Sequence, residues 1–599
     1  MLPRIQIQNV RPRTTTGAFP AKGVEGLPVR VRAEIFRDGH DLLGARVLWR
    51  PVGGSWTAAP LTERGNDEWE GSFVPAGLGL HEFVVEAWTD RAATLRRDIA
   101  AKQAAGDDVS AERAELAACA GRPFEDLTRS PVFQLWVDRR RAQVGAWYEL
   151  FPRSEGGLAG TIEALPRIAA MGFDVLYLPP IHPIGTTARK GRDGALVAAP
   201  GDPGSPWAIG SPEGGHTAVH PELGTIDDFD RLVETASAYG IEIALDYALQ
   251  CSPDHPWVRD HPEWFRRRPD GSIRYAENPP KKYQDIYPLE LWPPDEADRR
   301  AVWEAAREVL EFWIGHGVRI FRVDNPHTKP LPFWAWLIAS VRAAHPEVVF
   351  LSEAFTRPKM MAKLAEVGFS QSYTYFTWRT GRDELRDYVV ELTQGPTADF
   401  MRPNFWPNTP DILAGPLRNG PPAAFALRLV LAALLVPSYG IYSGYELCEN
   451  EPASEENEEY LHSEKYEIRR RNWNRPGPDL VPLITRINEI RRRHRCFDEL
   501  DNLRFHHANH PNLLVWSKQS ADGHDIMLMV VNTDPHTVAE DILWIDLGAL
   551  GLPWDAPLEA RDELNDAVYH WRGPSPYVRL DPAVTPAHVV SLRPLEVAS

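Results

Sequence analysis

Few cysteines stand in this chain of 599 residues, and the four present, Cys119, Cys251, Cys448 and Cys496, are far apart with no metal-ligand spacing. A reduced, cytoplasmic protein is the expectation from that pattern. The amino-terminal stretch MLPRIQIQNV lacks an apolar core of signal-peptide length. Long hydrophobic runs are missing too: the longest, 429–436, is far too short to span a bilayer and stops at Pro437. Positive charge is in deficit, with 65 Lys and Arg against 83 Asp and Glu and a net charge of −18, which argues against nucleic acid or an anionic membrane as a main partner. No GxxxxGK[ST] nucleotide loop, internal repeat or long low-complexity linker occurs.

What the chain does have is length, ordinary apolar content and tryptophan. At 43% hydrophobic and 25% charged residues it is globular material, too long for one core. Its 21 Trp suit both core packing and pockets for sugar rings, and composition alone favours cores. Basic clusters at 469–471 and 491–495 read as solvated helix faces.

In chain order, residues 29–35 alternate apolar Val29, Val31, Ala33 and Ile35 with Arg30, Arg32 and Glu34, and short runs at 46–49, 69–74 and 81–88 follow. That predicts an antiparallel β-sandwich over 1–140. Within it, 92–105 and 110–120 read as a helical hairpin inserted at about 91–130, with Asp108 or Ser110 as a cap and Gly121 as a stop. Self-association element and solvated insert are both open readings of it. From 141 to 499, strand-like runs at 146–151, 175–178, 241–247, 318–323, 348–351, 372–377, 402–408 and 439–443 are mostly separated by helical stretches. Eight such strands predict a (β/α)₈ TIM barrel. The long Pro- and aromatic-rich segment 252–298 after the third strand is expected to be functional. From 500 to 599, runs at 513–517, 526–532, 543–547, 577–580 and 588–592 predict an antiparallel β domain. The fold class is therefore multidomain: a central barrel between amino- and carboxyl-terminal β domains.

Acids end four of the barrel strands. The run Val318-Arg319-Ile320-Phe321-Arg322-Val323 stops at Asp324, and period two puts Arg322 on the same side as that carboxylate. A cation there would keep a nucleophilic carboxylate ionised, although the pair also reads as a plain structural ion pair. Asp246, Glu353 and Asp411 end strands three, five and seven. Acids converging on a barrel's carboxyl-terminal face suit glycoside chemistry, where one carboxyl stays protonated beside an ionised partner.

The strings Leu245-Asp246-Tyr247-Ala248-Leu249-Gln250, Phe321-Arg322-Val323-Asp324, Leu351-Ser352-Glu353 and Asn408-Thr409-Pro410-Asp411 resemble, in order, the four conserved regions of the α-amylase clan. Two positions depart from the usual amylase pattern: Gln250-Cys251 stands where Asn-His is common, and Pro410 where His precedes the last acid. Those departures are similar to one branch, the maltosyltransferases that use α-maltose 1-phosphate to extend α-1,4-glucans. Further strings carry the likeness: Pro206-Trp207-Ala208-Ile209-Gly210-Ser211-Pro212-Glu213-Gly214-Gly215-His216, Gln250-Cys251-Ser252-Pro253-Asp254-His255-Pro256, Asn278-Pro279-Pro280-Lys281-Lys282-Tyr283-Gln284-Asp285 and Asp324-Asn325-Pro326-His327-Thr328-Lys329-Pro330.

The resemblance implies Asp324 as nucleophile, Glu353 as general acid/base and Asp411 as transition-state stabiliser. It implies Lys190, Gln250, Asp285, Lys465 and Tyr466 as contacts to the maltosyl unit, with Ser205, Asn278, Tyr283 and Asn325 around the phosphate. For the lysines, a solvated surface charge is the other reading. No cofactor is implied, and no clustered set of oxygen ligands for a metal stands out. Expected partners are α-maltose 1-phosphate and a glucan or maltooligosaccharide acceptor, and the resemblance also implies a homodimer. Alternatives are another clan hydrolase or transglycosidase, which Gln250-Cys251 and Pro410 fit poorly, and a non-catalytic glucan-binding barrel.

Overall fold

The computed structural model describes residues 2–119, 124–279, 281–555 and 557–595. The chain forms two compact units, Met1–Arg140 and Arg141–Ser599.

In the first unit the alternation of Val29–Phe36 is realised as a strand whose Val29, Val31, Ala33 and Ile35 face the core. The runs expected at 46–49, 69–74 and 81–88 lie within or across Leu43–Pro51, Glu68–Phe73 and Gly79–Thr89. Pairing is antiparallel in most ladders, but Ala21–Val24 runs parallel to Phe133–Asp138, a departure from the expected pattern. The hairpin's first helix, Arg91–Ala105, starts where the Asp90 carboxylate accepts from the Ala93 N–H and ends at Gly106, whose φ of 84° suits a residue without Cβ. Its second helix, Ser110–Ala118, has Val109 at the cap position. Asp108 accepts from the Ser110 N–H at 3.0 Å, so neither expected cap closes that end from the cap position. The stop expected at Gly121 lies outside the described residues. Within the stretch assigned to the insert, Glu125–Arg129 pairs back onto Gly79–Thr89.

In the second unit eight parallel strands make the barrel: Gly145–Glu149, Val175–Leu178, Glu242–Tyr247, Ile320–Val323, Val349–Ser352, Gln371–Ser372, Asn404–Phe405 and Ser438–Tyr442. Their order by barrel position is 6-5-4-3-2-1-8-7, and a parallel bridge between Ser372 and Pro403 joins six to seven, so the sheet closes. Two strands are much shorter than expected. The run 372–377 becomes a two-residue strand followed by a 3₁₀ turn, Tyr375–Trp378, and 402–408 keeps only Asn404–Phe405 as strand. Their aromatic rings stack instead: Tyr373 on Trp406 at 5.2 Å and Phe376 on Phe405 at 4.5 Å. Gly440 on the eighth strand makes room for Trp406, because a Cβ there would lie 2.3 Å from the indole.

Side chains alternate inward along these strands, and the inner apolar layer includes Trp147, Tyr177, Ala244, Ile320, Leu351 and Trp406. Two residues further along the same inward rows come Glu149, Asp246, Arg322 and Glu353. Period two thus lays a charged floor on an apolar plug.

The apolar run at 429–436 belongs largely to the helix Pro422–Leu435, buried from Ala424 to Leu435. Among the described residues no helix is long and apolar enough to cross a membrane. The basic clusters are not plain solvated faces. The Arg471 side chain is 2% exposed and pairs with Glu464 at 2.9 Å, and Arg491 donates to the Pro437 and Gly145 carbonyls at 2.6 and 3.3 Å, pinning the starts of barrel strands eight and one. A guanidinium fork satisfies several acceptors where a solvated charge would satisfy none.

Beyond 500, Leu503–Phe505, Leu513–Gln519, Ile526–Asn532, Ala587–Pro594, Pro557–Asp562 and Val568–Arg572 form one antiparallel sheet, and Ala539–Ile542 pairs with Tyr577–Leu580. The strand expected at 543–547 is absent as a ladder. Its alternation is real, with Leu543, Ile545 and Leu547 buried, but their neighbours across are Pro574 and Pro576. Those prolines accept from Ile545 and Leu543 yet have no N–H to return.

Candidate active site

Arg322 is the hub of the floor. Its Nη1 donates to Asp246 at 2.9 Å and Asp324 at 3.0 Å, and its Nη2 contacts Glu353 at 2.6 Å. Arg322 is 5% exposed and the three carboxylates are buried, so one cation offsets three acids in a low-dielectric setting. The backbone fixes the acids in place: the Asp324 N–H bonds the Tyr247 carbonyl and the Glu353 N–H bonds the Val323 carbonyl, both at 3.1 Å. Burial first, then the neighbouring acids Asp324 and Asp411, pushes the Glu353 carboxyl well above the usual range, against the pull of Arg322. Asp246 is pushed up to about 7, mainly by burial, and accepts from the Tyr177 hydroxyl at 2.6 Å.

Asn325 follows Asp324 in the left-handed region, φ 43°, which Asn tolerates better than most residues. The turn aims its N–H at Glu353 Oε2, 3.4 Å away. Asp411 stands apart from Arg322 and pairs with Lys465. Burial alone would lower the Lys465 ammonium, but Asp411, Tyr466 and Glu459 together outweigh it and the pKa is raised. Glu149, at the end of the first strand, joins the floor with its carboxyl pushed up by burial. Sequence reading passed over it because the expected strand 146–151 ran beyond it.

Asp324, Glu353, Asp411, Ser205, Gln250, Asn278, Tyr283, Asp285, Asn325, Lys465 and Tyr466 all line one cavity of about 1000 Å³. Segment 252–298 supplies one wall through a hairpin of Ala276–Asn278 and Lys281–Tyr283, and Tyr287–Pro288 pairs with Gln250–Cys251. Arg322 and Lys190 are the two expected residues that do not line the cavity. Arg322 lies beneath the carboxylates, and Lys190, 4% exposed, donates to the Lys282 carbonyl at 2.7 Å, bracing the hairpin from behind. Trp207, Lys329 and Glu459 also line the cavity; the first two stand inside the family-like strings without a role of their own, and no local pattern marks Glu459.

The unusual glycine-rich string before His216 has a packing reason. The His255 ring lies so close that a Cβ on Gly210 or Gly215 would sit 2.3 or 2.2 Å from it. His216, Cys251 and His255 bring three potential ligand atoms within 4.8 Å of one another, all buried. Their hydrogen bonds occupy the imidazoles. His255 Nδ1 accepts from the Trp257 N–H at 3.0 Å, so its Nε2–H donates to His216 Nδ1 at 3.1 Å, and His216 Nε2–H donates to the Ala248 carbonyl at 2.9 Å. Both rings are neutral, their pKa values lowered chiefly by burial, to about 3 for His255. The cluster is a support under the third strand's loop.

A closed parallel barrel with acids on the carboxyl ends of strands three, four and five defines an enzyme scaffold of the α-amylase type, and the fold comparisons agree. An α-amylase from Geobacillus thermoleovorans superposes with a TM-score of 0.56 at 17% identity, covering 75% of this chain and 98% of its own. A cyclomaltodextrin glucanotransferase gives 0.57 at 13%, covering 76% and 100%. The profile of the α-amylase catalytic domain matches 122–330, that of α-1,4-glucan:maltose-1-phosphate maltosyltransferase domain N/S matches 3–144, and one described as "GLGE, C-terminal" matches 505–592. Curated relatives include α-1,4-glucan:maltose-1-phosphate maltosyltransferase 2 of Streptomyces coelicolor, 48% identical over 98% of this chain and 96% of its own length. That of Mycolicibacterium smegmatis is 44% identical over 98% and 97%, and that of Pseudomonas aeruginosa 46% over 97% and 95%. The chain belongs to the α-1,4-glucan:maltose-1-phosphate maltosyltransferase family.

Proposed function

We propose that this protein transfers a maltosyl unit from α-maltose 1-phosphate to the non-reducing end of α-1,4-glucans, releasing inorganic phosphate and retaining the α configuration. Full-length relatives of that description at 44–48% identity carry the reading. The convergence of Asp324 and Glu353 on Arg322 at the floor of one cavity supports the mechanism.

Asp324, held beside the guanidinium, attacks the anomeric carbon while the phosphate departs. Glu353, its proton retained by burial, shares that proton with the bridging oxygen. As a carboxylate it then takes the proton of the acceptor's 4-hydroxyl as that oxygen attacks the maltosyl ester. Two displacements on opposite faces retain configuration. Asp411, with Lys465, stabilises the transition state through sugar hydroxyls. Gln250, Asp285, Lys465 and Tyr466 hold the maltosyl unit, with Lys190 holding the wall behind them, and Ser205, Asn278, Tyr283 and Asn325 surround the phosphate. No step calls for a metal or cofactor.

Mixing the protein with α-maltose 1-phosphate and a short maltooligosaccharide tests this. Phosphate release should match chains growing in steps of two glucose units. No phosphate release, with starch or sucrose cleaved instead, would place the chain elsewhere in the clan.

The finer organisation belongs to the same proposal: a β-sandwich over 1–140, a catalytic barrel over 141–499, a β domain over 500–599, and a cytoplasmic homodimer making glycogen-like glucan. The hairpin helix Ser110–Ala118, none of whose residues is fully buried within this chain, supports self-association. Sedimentation velocity should give twice the chain's 67.4 kDa, and a monomer at micromolar concentration would remove the dimer.

A further inference from the structure

We propose that Lys329 is the countercharge for the donor's phosphate group and thereby sets the preference for a phosphorylated donor, an inference that rests on the transfer reaction above. Among the described residues five lysines and arginines line the cavity: Arg266, Arg274, Lys281, Lys329 and Lys465. Four have acidic partners within 4 Å: Glu290, Glu277, Glu459 and Asp411 respectively. Lys329 alone meets only neutral oxygens, the Asn325 carbonyl at 3.4 Å and the Thr328 hydroxyl at 3.1 Å, with no ion pair among the described residues.

Its place in the cavity is equally specific. Asn325 faces Glu353 with its N–H and Lys329 with its carbonyl, which ties the ammonium to the acid/base side of the floor. Lys465 belongs instead to Asp411. The loop between is stiff: a 3₁₀ turn, Pro326–Thr328, is pinned by the Trp334 indole N–H donating to the Pro326 carbonyl at 2.9 Å, and Pro330 favours the extended backbone that the preceding Lys329 adopts. Burial lowers the Lys329 ammonium's pKa, while the fields of Asp324 and Glu353 hold it up. A partly desolvated ammonium without a carboxylate is unfavourable in the empty protein and favourable once a dianion enters.

The charge matters most as the bond breaks. The pair of the C1–O bond passes to the bridging oxygen, the Glu353 proton follows, and hydrogen phosphate leaves as the Asp324–C1 ester forms. Hydroxyls and amides can orient that group, but Lys329 is the cation free to balance it.

Lys329→Met should be assayed with α-maltose 1-phosphate and with α-maltosyl fluoride, using one acceptor. The ratio of kcat/KM for phosphate donor over fluoride donor should fall by about 100-fold, the scale of one desolvated charge pair. Inhibition of fluoride turnover by inorganic phosphate should weaken in parallel, and Lys329→Arg should restore much of both. Equal losses on the two donors, or an unchanged ratio, would reduce Lys329 to a structural or acceptor-side residue and overturn the inference. If the unaltered protein turns over the fluoride but not the phosphate donor, the function proposed above fails first, and the two failures are distinguishable.

Discussion

Asp324→Ala is expected to lose phosphate release by at least about 10⁴-fold, the scale seen when a covalent nucleophile is removed. The substitution deletes only the carboxylate. The backbone N–H of residue 324 stays bonded to the Tyr247 carbonyl, Arg322 keeps Asp246 and Glu353, and the strand is otherwise unchanged. Melting near the wild-type temperature would separate lost chemistry from lost folding. Glu353→Ala should behave differently. Phosphate is a good leaving group, so the first displacement needs little protonation, whereas the second needs a base for a sugar hydroxyl. We expect a burst of about one phosphate per active site, then turnover slowed by about 10²–10⁴-fold, the usual worth of general acid–base catalysis. Comparable steady rates in either variant would contradict the assignments.

Arg322→Met carries the second large effect. The residue is buried beneath the cavity and bonded to Asp246, Asp324 and Glu353, so its removal leaves three acids facing one another without the cation that is bonded to all of them. Breaking a buried ion pair from one side costs about 3–5 kcal/mol. The sign of the pH dependence follows from the direction in which the acids move. Burial already raises Asp246, to about 7, and Glu353, and losing Arg322 raises both further. The folded variant therefore binds more protons than the unfolded chain. Its deficit should be smallest below the unfolded carboxyl range and grow as pH rises through the raised values. Thermal melts at pH 5 and pH 8 read this directly. A variant matching the parent at pH 8 would show that the guanidinium is not what stabilises the floor.

Much of this site was legible because strand periodicity is local. A β-branched run ending in an acid announces itself, so Asp246, Asp324 and Glu353 could be placed on the barrel floor, and Arg322 beside Asp324, from two-residue spacing alone. The third and fourth strands were bounded within two residues for the same reason. The misses lie where distant chain decides. At 372–377 and 402–408 aromatic composition imitates a strand, but Tyr373 on Trp406 and Phe376 on Phe405 are stacking pairs across thirty residues. At 543–547 the alternation was right and the ladder failed because the opposing residues, Pro574 and Pro576, cannot donate. Charge was the least readable property. Arg471 and Arg491 look like solvated surface in a basic run, yet one is buried against Glu464 and the other against backbone carbonyls. Nothing near Lys329 in sequence shows that four other cavity cations are neutralised and it is not. The family resemblance supplied what periodicity could not: the residues of the cavity wall, drawn from several loops.

The central claim is a maltosyl ester on Asp324, and the most direct measurement is the mass of the protein itself. Glu353→Ala mixed with α-maltose 1-phosphate without acceptor, quenched in acid and digested, should carry one added maltosyl unit on the peptide containing Asp324, and Asp324→Ala should carry none. An unmodified Asp324 peptide after stoichiometric phosphate release, or the sugar on another residue, would contradict the account.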